Sequence, residues 1–235
     1  MMNKILAIDT SSAKCSVALT CEGSTIQRTS ELERQSAQRL LPMIEELLGN
    51  SQITLADLDL IAVMAGPGSF TGLRIGIGVA QGLSMANSTP VLALSSMAVI
   101  AMASIRESAS PGVLVADAAR GGELYFAAYK HSGKYGVELV GREQVCIPQR
   151  LEGLDEIAEI GDIASWNLTG ACWANELDRE AIEQLLQCKL AADPLQVRYE
   201  ITDLCDLAQL RFAAGQATNA AELRPNYVKE QLDYL

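Results

Sequence analysis

A glycine-rich segment at residues 65–86 constrains the fold of this chain more than any other part. An apolar run at residues 60–65, typical of a strand in the centre of a sheet, ends in the turn Gly66-Pro67-Gly68. A helical pattern begins near Thr71 and continues to about Ala86. The strand, tight turn and helix together predict an α/β fold. The start of the helix either receives an anion or simply closes the turn, and glycine content alone favours the turn.

The helix predicted after this turn carries two rows of small residues at four-residue spacing. The rows are Gly72, Gly76 and Ala80, and Gly78, Gly82 and Ala86. Each interior glycine costs ~1 kcal/mol of helix propensity relative to alanine, so close backbone packing is expected to repay that cost. The rows pack either on the chain's own sheet or on a partner, and periodicity leaves both alternatives open.

Composition narrows the classes of function. The 235 residues are 49% hydrophobic, which is ample for a core in one large or two small domains. The net charge of -11 argues against a broad cationic surface for nucleic acid. The six cysteines include no Cys-x-x-Cys pair and there is a single histidine, so no zinc spacing is present. With no secretory or membrane-spanning run, we expect a cytoplasmic protein that does not contact a membrane.

The first half of the chain predicts a sheet covered by helices. Lys4–Ile8, Ser16–Thr20 and Thr25–Leu32 predict an antiparallel meander. A helix is predicted from Ser36, with a kink at Pro42. Its apolar stripe is Ala37, Leu40, Leu41, Ile44, Leu47 and Leu48.

The second half repeats the opening hairpin. The loop-like segment Ser108–Gly112 predicts a domain boundary, with domains at residues 1–109 and 110–235 and a tail that packs back on the first. Beyond it, another strand-turn-strand pattern begins at Val113. Each hairpin places an aspartate at the end of its first strand, Asp9 and Asp117, which indicates a duplicated architecture with a cleft between the halves.

Several segments, in order along most of the chain, resemble the TsaB (YeaZ) family. They are ILAIDTS from residue 5, CSVAL from residue 15, QRLLP from residue 38, GPGSFTGLRIG from residue 66, DAARGGELY from residue 117 and RPNYV from residue 224. The resemblance implies an actin-like/sugar kinase/chaperone ATPase (ASKHA) fold of two related halves, the second of them reduced. One departure from the family pattern is Gln35-Ser36, where a histidine commonly precedes the serine or threonine.

The resemblance also implies a non-catalytic role in tRNA modification. Family members bind the related TsaD, which acts with TsaE to transfer threonylcarbamoyl from its adenylate to the adenosine beside the anticodon. The implied partners are a TsaD-like paralogue and a TsaE-like ATPase, with a homodimer when the chain is alone and tRNA contacted only indirectly. We expect one surface to serve both assemblies, unless the apolar stripe covers only the chain's own sheet. Its expected residues are Leu40, Leu41, Ile44, Leu48, Gly72, Arg74, Gly76 and Ala80.

The positions that hold a metal in TsaD-like relatives are changed in this chain. Those relatives carry two histidines spaced H-x-x-x-H after the strand that follows the glycine helix, and the matching positions here are Ser96 and Ile100. A hydroxyl and an aliphatic group cannot replace two imidazoles on a transition metal. We therefore expect no catalytic residue and no metal ligand, which argues against a metal-dependent peptidase.

The two hairpin turns stand where ASKHA ATPases place their phosphate loops. The degenerate phosphate-loop positions are Asp9, Thr10, Ser11, Asp117, Gly121 and Gly122. Arg120 and Glu123 stand in the second turn, where an intact loop would offer more hydroxyl groups and glycine. We expect the aspartates to cap turns and the chain to hold no cofactor of its own. A nucleotide at the surface shared with the TsaD-like protein, and a nucleotide-dependent small-molecule kinase of ASKHA type, stay open as alternatives.

Overall fold

The computed structural model of the protein describes residues 3–30 and 35–228. They form two compact units, one of residues up to 99 together with 200–226 and the other of residues 100–199 together with 227–228. In chain order the elements are β1 (Ile5–Asp9), β2 (Ser16–Cys21), β3 (Ser24–Thr29), α1 (Ser36–Asn50), β4 (Leu60–Gly66), α2 (Phe70–Asn87), β5 (Val91–Ser95), α3 (Ser96–Glu107), β6 (Gly112–Ala118), β7 (Leu124–Ser132), β8 (Gly136–Cys146), α4 (Leu154–Ala158), β9 (Asn167–Thr169), α5 (Glu176–Leu186), β10 (Pro194–Leu195) and α6 (Ile201–Ala213).

The sheet of the first unit has the strand order β3-β2-β1-β4-β5. The first three strands form the predicted antiparallel meander, and β1, β4 and β5 run parallel. β3 ends at Thr29, and the predicted continuation to Leu32 lies outside the described residues. Every residue of β4 is buried, as expected for a central strand that is covered on both faces.

Helices cover both faces of this sheet. Leu6, Ile8 and Val63 belong to a core with α1 and α2. Side chains alternate along a strand, so the neighbouring residues within β1 and β4 point to the opposite face of the sheet. α6 contacts β1, β2 and β4, and its Leu204 and Leu207 are fully buried. One face of the first sheet is therefore covered by a helix from residues 200–226, far along the chain from the strands.

α1 forms where the apolar pattern predicts it and continues through Pro42 as one helix. Its buried side chains are Ser36, Leu40, Met43, Ile44, Leu47 and Leu48. Leu41, which the sequence places in the stripe, is 51% exposed. At 3.6 residues per turn, Leu41 stands about 100° around the helix from Leu40, beyond the reach of the sheet.

The second unit repeats the plan of the first on a smaller scale. Its sheet has the order β8-β7-β6-β9-β10, with β6, β7 and β8 antiparallel and β6, β9 and β10 parallel. β9 has 3 residues and β10 has 2, against 7 and 5 for β4 and β5. The chain thus has the predicted ASKHA fold of two related halves with a reduced second half.

The division between the units differs from the boundary predicted after residue 109. Residues 100–109 belong to the second unit, because the Asn167 side-chain amide donates to the carbonyls of Ser104 (3.3 Å) and Ser108 (2.7 Å). Residues 200–226 belong to the first unit, in which Thr218 and Val91 exchange two backbone hydrogen bonds of 2.8 and 2.9 Å.

Candidate functional site

The turn after β1 is closed by its own hydrogen bonds. Asp9 is buried, and its Oδ1 accepts from the backbone N–H (2.8 Å) and the hydroxyl (2.7 Å) of Ser11. The Thr10 hydroxyl donates to the carbonyl oxygen of Gly72 at 2.7 Å. The Ser11 carbonyl accepts from the backbone N–H of Ser69 at 2.7 Å. The first predicted phosphate-loop position is therefore packed against the start of α2.

Glycine makes this close approach possible. A Cβ at Gly72 would overlap the carbonyl oxygen of Thr10, and a Cβ at Gly76 would overlap the Thr10 hydroxyl. At Gly68 a Cβ would come within 2.7 Å of the Ser11 carbonyl oxygen. The row of Gly72 and Gly76 thus packs on the chain's own first turn, which is one of the two alternatives that the spacing left open.

The turn after β6 is more open. Oδ1 of Asp117 accepts from the backbone N–H groups of Ala118 (2.9 Å) and Ala171 (3.3 Å), so this aspartate also caps turns. Gly121 and Gly122 both have positive φ, 73° and 78°, and a Cβ on either would meet nothing within 4 Å. Asp9 lies in the first unit and the Asp117 turn in the second.

Ser96 and Ile100, the positions that the resemblance matches to the two metal-binding histidines, lie on α3. The Ser96 hydroxyl is buried and donates to the carbonyl oxygen of Pro67 at 2.6 Å, so it holds the glycine-rich turn. Ile100 is half-buried and offers no donor atom for a metal. Within residues 3–30 and 35–228, no three His, Cys, Asp or Glu side chains converge in a way that could hold a metal ion.

Most residues predicted for a partner interface are buried inside the first unit of the single chain. They are Leu40, Ile44, Leu48, Gly72, Gly76 and Ala80. The three aliphatic side chains belong to the core between the sheet and its helices, and the two glycines face Thr10. Of the predicted set, Leu41 and Arg74 are exposed.

α2 presents a different row to solvent, which we call the exposed α2 face. It consists of Phe70, Arg74, Gly78 and Gly82, spaced four residues apart and all exposed. The Arg74 guanidinium lies over the Phe70 ring at 3.4 Å from its centroid. A Cβ at Gly78 or Gly82 would meet nothing within 4 Å, so this half of the face is smooth. The sequence contained the signal in its second glycine row, but nothing showed that this row points outward.

None of the helices in the described residues has the length and apolar character that crossing a membrane requires.

The amino-acid sequence of the chain is similar to those of known proteins. Residues 29–223 match the TsaD family, described as tRNA N6-adenosine threonylcarbamoyltransferase. The chain is 31% identical over 237 aligned positions to the tRNA threonylcarbamoyladenosine biosynthesis protein TsaB of Haemophilus influenzae, covering 98% of this chain and 95% of that protein. It is 42% identical over 127 residues to TsaB of Escherichia coli, where the match spans 54% of this chain and only 55% of that protein.

Solved structures agree with this match. The structure described as YeaZ from Pseudomonas aeruginosa has a TM-score of 0.77 and 35% identity, covering 96% of this chain and 100% of that one. A second, described as an uncharacterized protein with similarity to peptidase YEAZ from Pseudomonas aeruginosa, has a TM-score of 0.78 and 36% identity, covering 97% and 100%.

Proposed function

The chain belongs to the TsaB (YeaZ) family, and on that premise we propose that it is the non-catalytic partner of a TsaD-like transferase in forming tRNA threonylcarbamoyladenosine. In this role it acts in the cytoplasm with a TsaD-like protein and a TsaE-like ATPase. The transferase moves threonylcarbamoyl from its adenylate to the adenosine 3′ of the anticodon. The reaction takes place in the partner's site, and this chain supports that site.

The proposal rests on the side chains that this chain has at the two positions where TsaD-like relatives bind a metal. Ser96 and Ile100 stand where TsaD-like relatives have histidines, and the Ser96 hydroxyl is committed to the Pro67 carbonyl. A hydroxyl and an aliphatic side chain do not form the imidazole donor set. The proposal also gives the chain no cofactor of its own, since Asp9 and Asp117 both accept backbone N–H groups in their turns.

The exposed α2 face is the surface that we propose for the partner. Without side chains at Gly78 and Gly82, a partner helix can approach the α2 backbone closely. Arg74, stacked on Phe70, offers a cation and an aromatic ring at one end of the smooth stretch. We propose that a second copy of the chain uses the same face when the TsaD-like protein is absent. The net charge of -11 supports contact with tRNA through the partner rather than directly.

Reconstitution tests the function. Purified chain is mixed with its TsaD-like and TsaE-like partners, threonylcarbamoyl-adenylate and unmodified tRNA, and modified tRNA is measured after nuclease digestion. We expect product only when this chain is present, and none from this chain alone. Modification by the isolated chain, or equal modification without it, would contradict the proposal.

Substitutions test the surface separately. Gly78→Glu places a charge on the exposed α2 face. Leu41→Glu places a charge on the exposed side of α1, and α1 contacts α2. Leu177→Glu is the matched control, since Leu177 is 74% exposed on α5 in the second unit. With Gly78→Glu or Leu41→Glu, we expect light scattering to show loss of the homodimer and co-purification to show loss of the TsaD-like protein. With the control we expect neither loss. Loss of one assembly without the other would show that the two surfaces differ.

A further inference from the structure

A cavity of about 710 Å³ lies in the first unit, between the C-terminal ends of α2 and α6 and residues 215–222. Its lining is mostly apolar or uncharged, with the Met85 and Phe212 side chains as its large apolar members. Of the described residues that line it, Glu222 is the one that carries a charge. Met85 is 76% exposed, which is unusual for a methionine in the described part of this chain.

The Glu222 carboxylate is held in place without a cation. The Asn219 side-chain amide donates to its Oε1 at 2.7 Å, and the Asn219 oxygen in turn accepts from the Ala221 backbone N–H at 2.9 Å. In the part of the chain that the structure describes, no Lys or Arg forms a salt bridge with Glu222. Among residues 3–30 and 35–228, no donor forms a hydrogen bond with the other carboxylate oxygen, which leaves it available to a ligand.

Two helix ends add negative potential at the same place. α2 ends at Asn87 and α6 at Ala213, and residues from the last turn of each line the cavity. A helix C-terminus carries partial negative charge, which favours a cation nearby. α2 has no basic residue in its last turn, and Arg211 in the last turn of α6 does not line the cavity.

We propose that this cavity binds an alkylammonium group, carried either by a free diamine or by a lysine side chain. The ammonium donates to Glu222 and lies near the Phe212 ring, while the alkyl stem contacts Met85 and Phe212. A carboxylate or phosphate is disfavoured there by Glu222 and by both helix ends.

Residues 218–226, which we call the strap, line one side of the cavity and then continue toward the start of α2. The strap is bonded to Val91 through Thr218, and the Gln81 side chain donates to its Ala220 and Leu223 carbonyls at 3.2 and 3.1 Å. A ligand on Glu222 therefore contacts the segment that packs along α2.

Methyl NMR on the full chain tests the site without any partner protein. Methionine methyl groups are labelled with ¹³C, and the Met85 signal is assigned with Met85→Leu. The probes are 1,5-diaminopentane, a short alanine peptide with one central lysine, and hexanoate as an anionic control. The variants are Glu222→Gln and the matched Glu45→Gln, which removes the same charge from an exposed position on α1 that does not line the cavity.

We expect a saturable shift of the Met85 signal with an amine and none with hexanoate. Glu222→Gln should weaken binding about tenfold, as expected for loss of a charged hydrogen bond, and Glu45→Gln should leave it unchanged. A response to the diamine identifies a free amine as the ligand, and a response to the peptide alone identifies a lysine side chain. Absence of a saturable shift with either amine up to about 10 mM, or equal binding by Glu222→Gln, would overturn the proposal.

Discussion

The glycines of α2 differ in what surrounds the position of their missing side chain. Gly72 faces the Thr10 carbonyl so closely that a Cβ would overlap it, whereas Gly78 faces open space. We expect Gly72→Ala to lower the free energy of unfolding by about 1–3 kcal/mol, because the helix must move away from the first turn. For the chain diluted to a monomer, we expect Gly78→Ala to raise it by about 0.4–1 kcal/mol through helix propensity and unfolded-state entropy.

The pair is its own control, since both variants add one methyl group to the same helix. Chemical denaturation followed by circular dichroism measures the two free energies. Equal effects of the two substitutions would mean that α2 does not pack on the turn after β1 as the structure has it.

At the scale of elements, Glu183 ties α5 to the segment that follows it. Its side chain is buried and accepts from the Lys189 ammonium (2.6 Å), the Leu190 backbone N–H (3.1 Å) and the Arg179 guanidinium (3.2 Å). Burial opposes ionisation of Glu183, but these hydrogen bonds outweigh it and hold the pKa of the carboxyl below its ordinary value of 4.5.

A lowered carboxyl pKa gives a defined pH dependence. The stabilisation is fully present above pH 4.5, the ordinary value, and is lost as the pH falls through the lowered pKa. We expect Glu183→Gln to cost about 1–3 kcal/mol at neutral pH and progressively less in acid, measured by urea denaturation across the pH range. Glu180→Gln, an exposed change on the same helix, should stay within about 0.5 kcal/mol. A cost for Glu183→Gln that does not change with pH would contradict this role of the ionised carboxylate.

The strap depends on a side chain of α2. Gln81 donates to two strap carbonyls, while the Asn226 backbone N–H donates to the Ala65 carbonyl at 2.8 Å and Leu223 is buried in the core. We expect Gln81→Ala to speed hydrogen exchange at the Leu223 and Asn226 amides by about fivefold to thirtyfold, the equivalent of one or two lost hydrogen bonds. Exchange measured by NMR in Gln38→Ala, an exposed glutamine on α1, supplies the baseline. Unchanged exchange in Gln81→Ala would show that the strap does not need this side chain.

Local patterns in the sequence predicted the elements better than their surroundings. The spacing of Leu40, Ile44 and Leu47 was enough to locate α1, and the burial of β4 followed from its apolar run. Which glycine row of α2 faces inward depends on Thr10, more than sixty positions earlier in the chain. The docking of Asn226 beside the glycine-rich turn likewise depends on a backbone hydrogen bond to a distant residue, Ala65, and no periodicity in the sequence predicts it.

At the scale of the whole molecule, the repeated hairpins anticipated the repeated sheets. Asp9 is the last residue of β1 and Asp117 the next-to-last residue of β6, and these are the first strands of two sheets with matching strand order. The short strands β9 and β10 were not anticipated, because runs of 3 and 2 residues are too brief to show alternation. The place of α6 in the first unit was also out of reach of sequence patterns, since about a hundred residues separate it from β5.

Each unit has a core of its own, so core substitutions should have separable effects. Leu207 on α6 is fully buried in the first unit, and Ile182 on α5 is fully buried in the second. Replacing either residue with alanine is expected to lower the free energy of unfolding by about 2–5 kcal/mol, because apolar burial is lost and a cavity remains. Both tryptophans of the chain, Trp166 and Trp173, are buried in the second unit, so their fluorescence reports that unit.

We therefore expect Leu207→Ala to speed hydrogen exchange in β1 and β4 while leaving the tryptophan unfolding midpoint in urea unchanged. Ile182→Ala should lower that midpoint and leave exchange in β1 and β4 unchanged. The two variants remove similar aliphatic volume, so each serves as the control for the other. If each variant lowered the fluorescence midpoint and the exchange protection by the same free energy, the two cores would unfold as one cooperative body, and α6 would stabilise the whole chain rather than the first sheet alone.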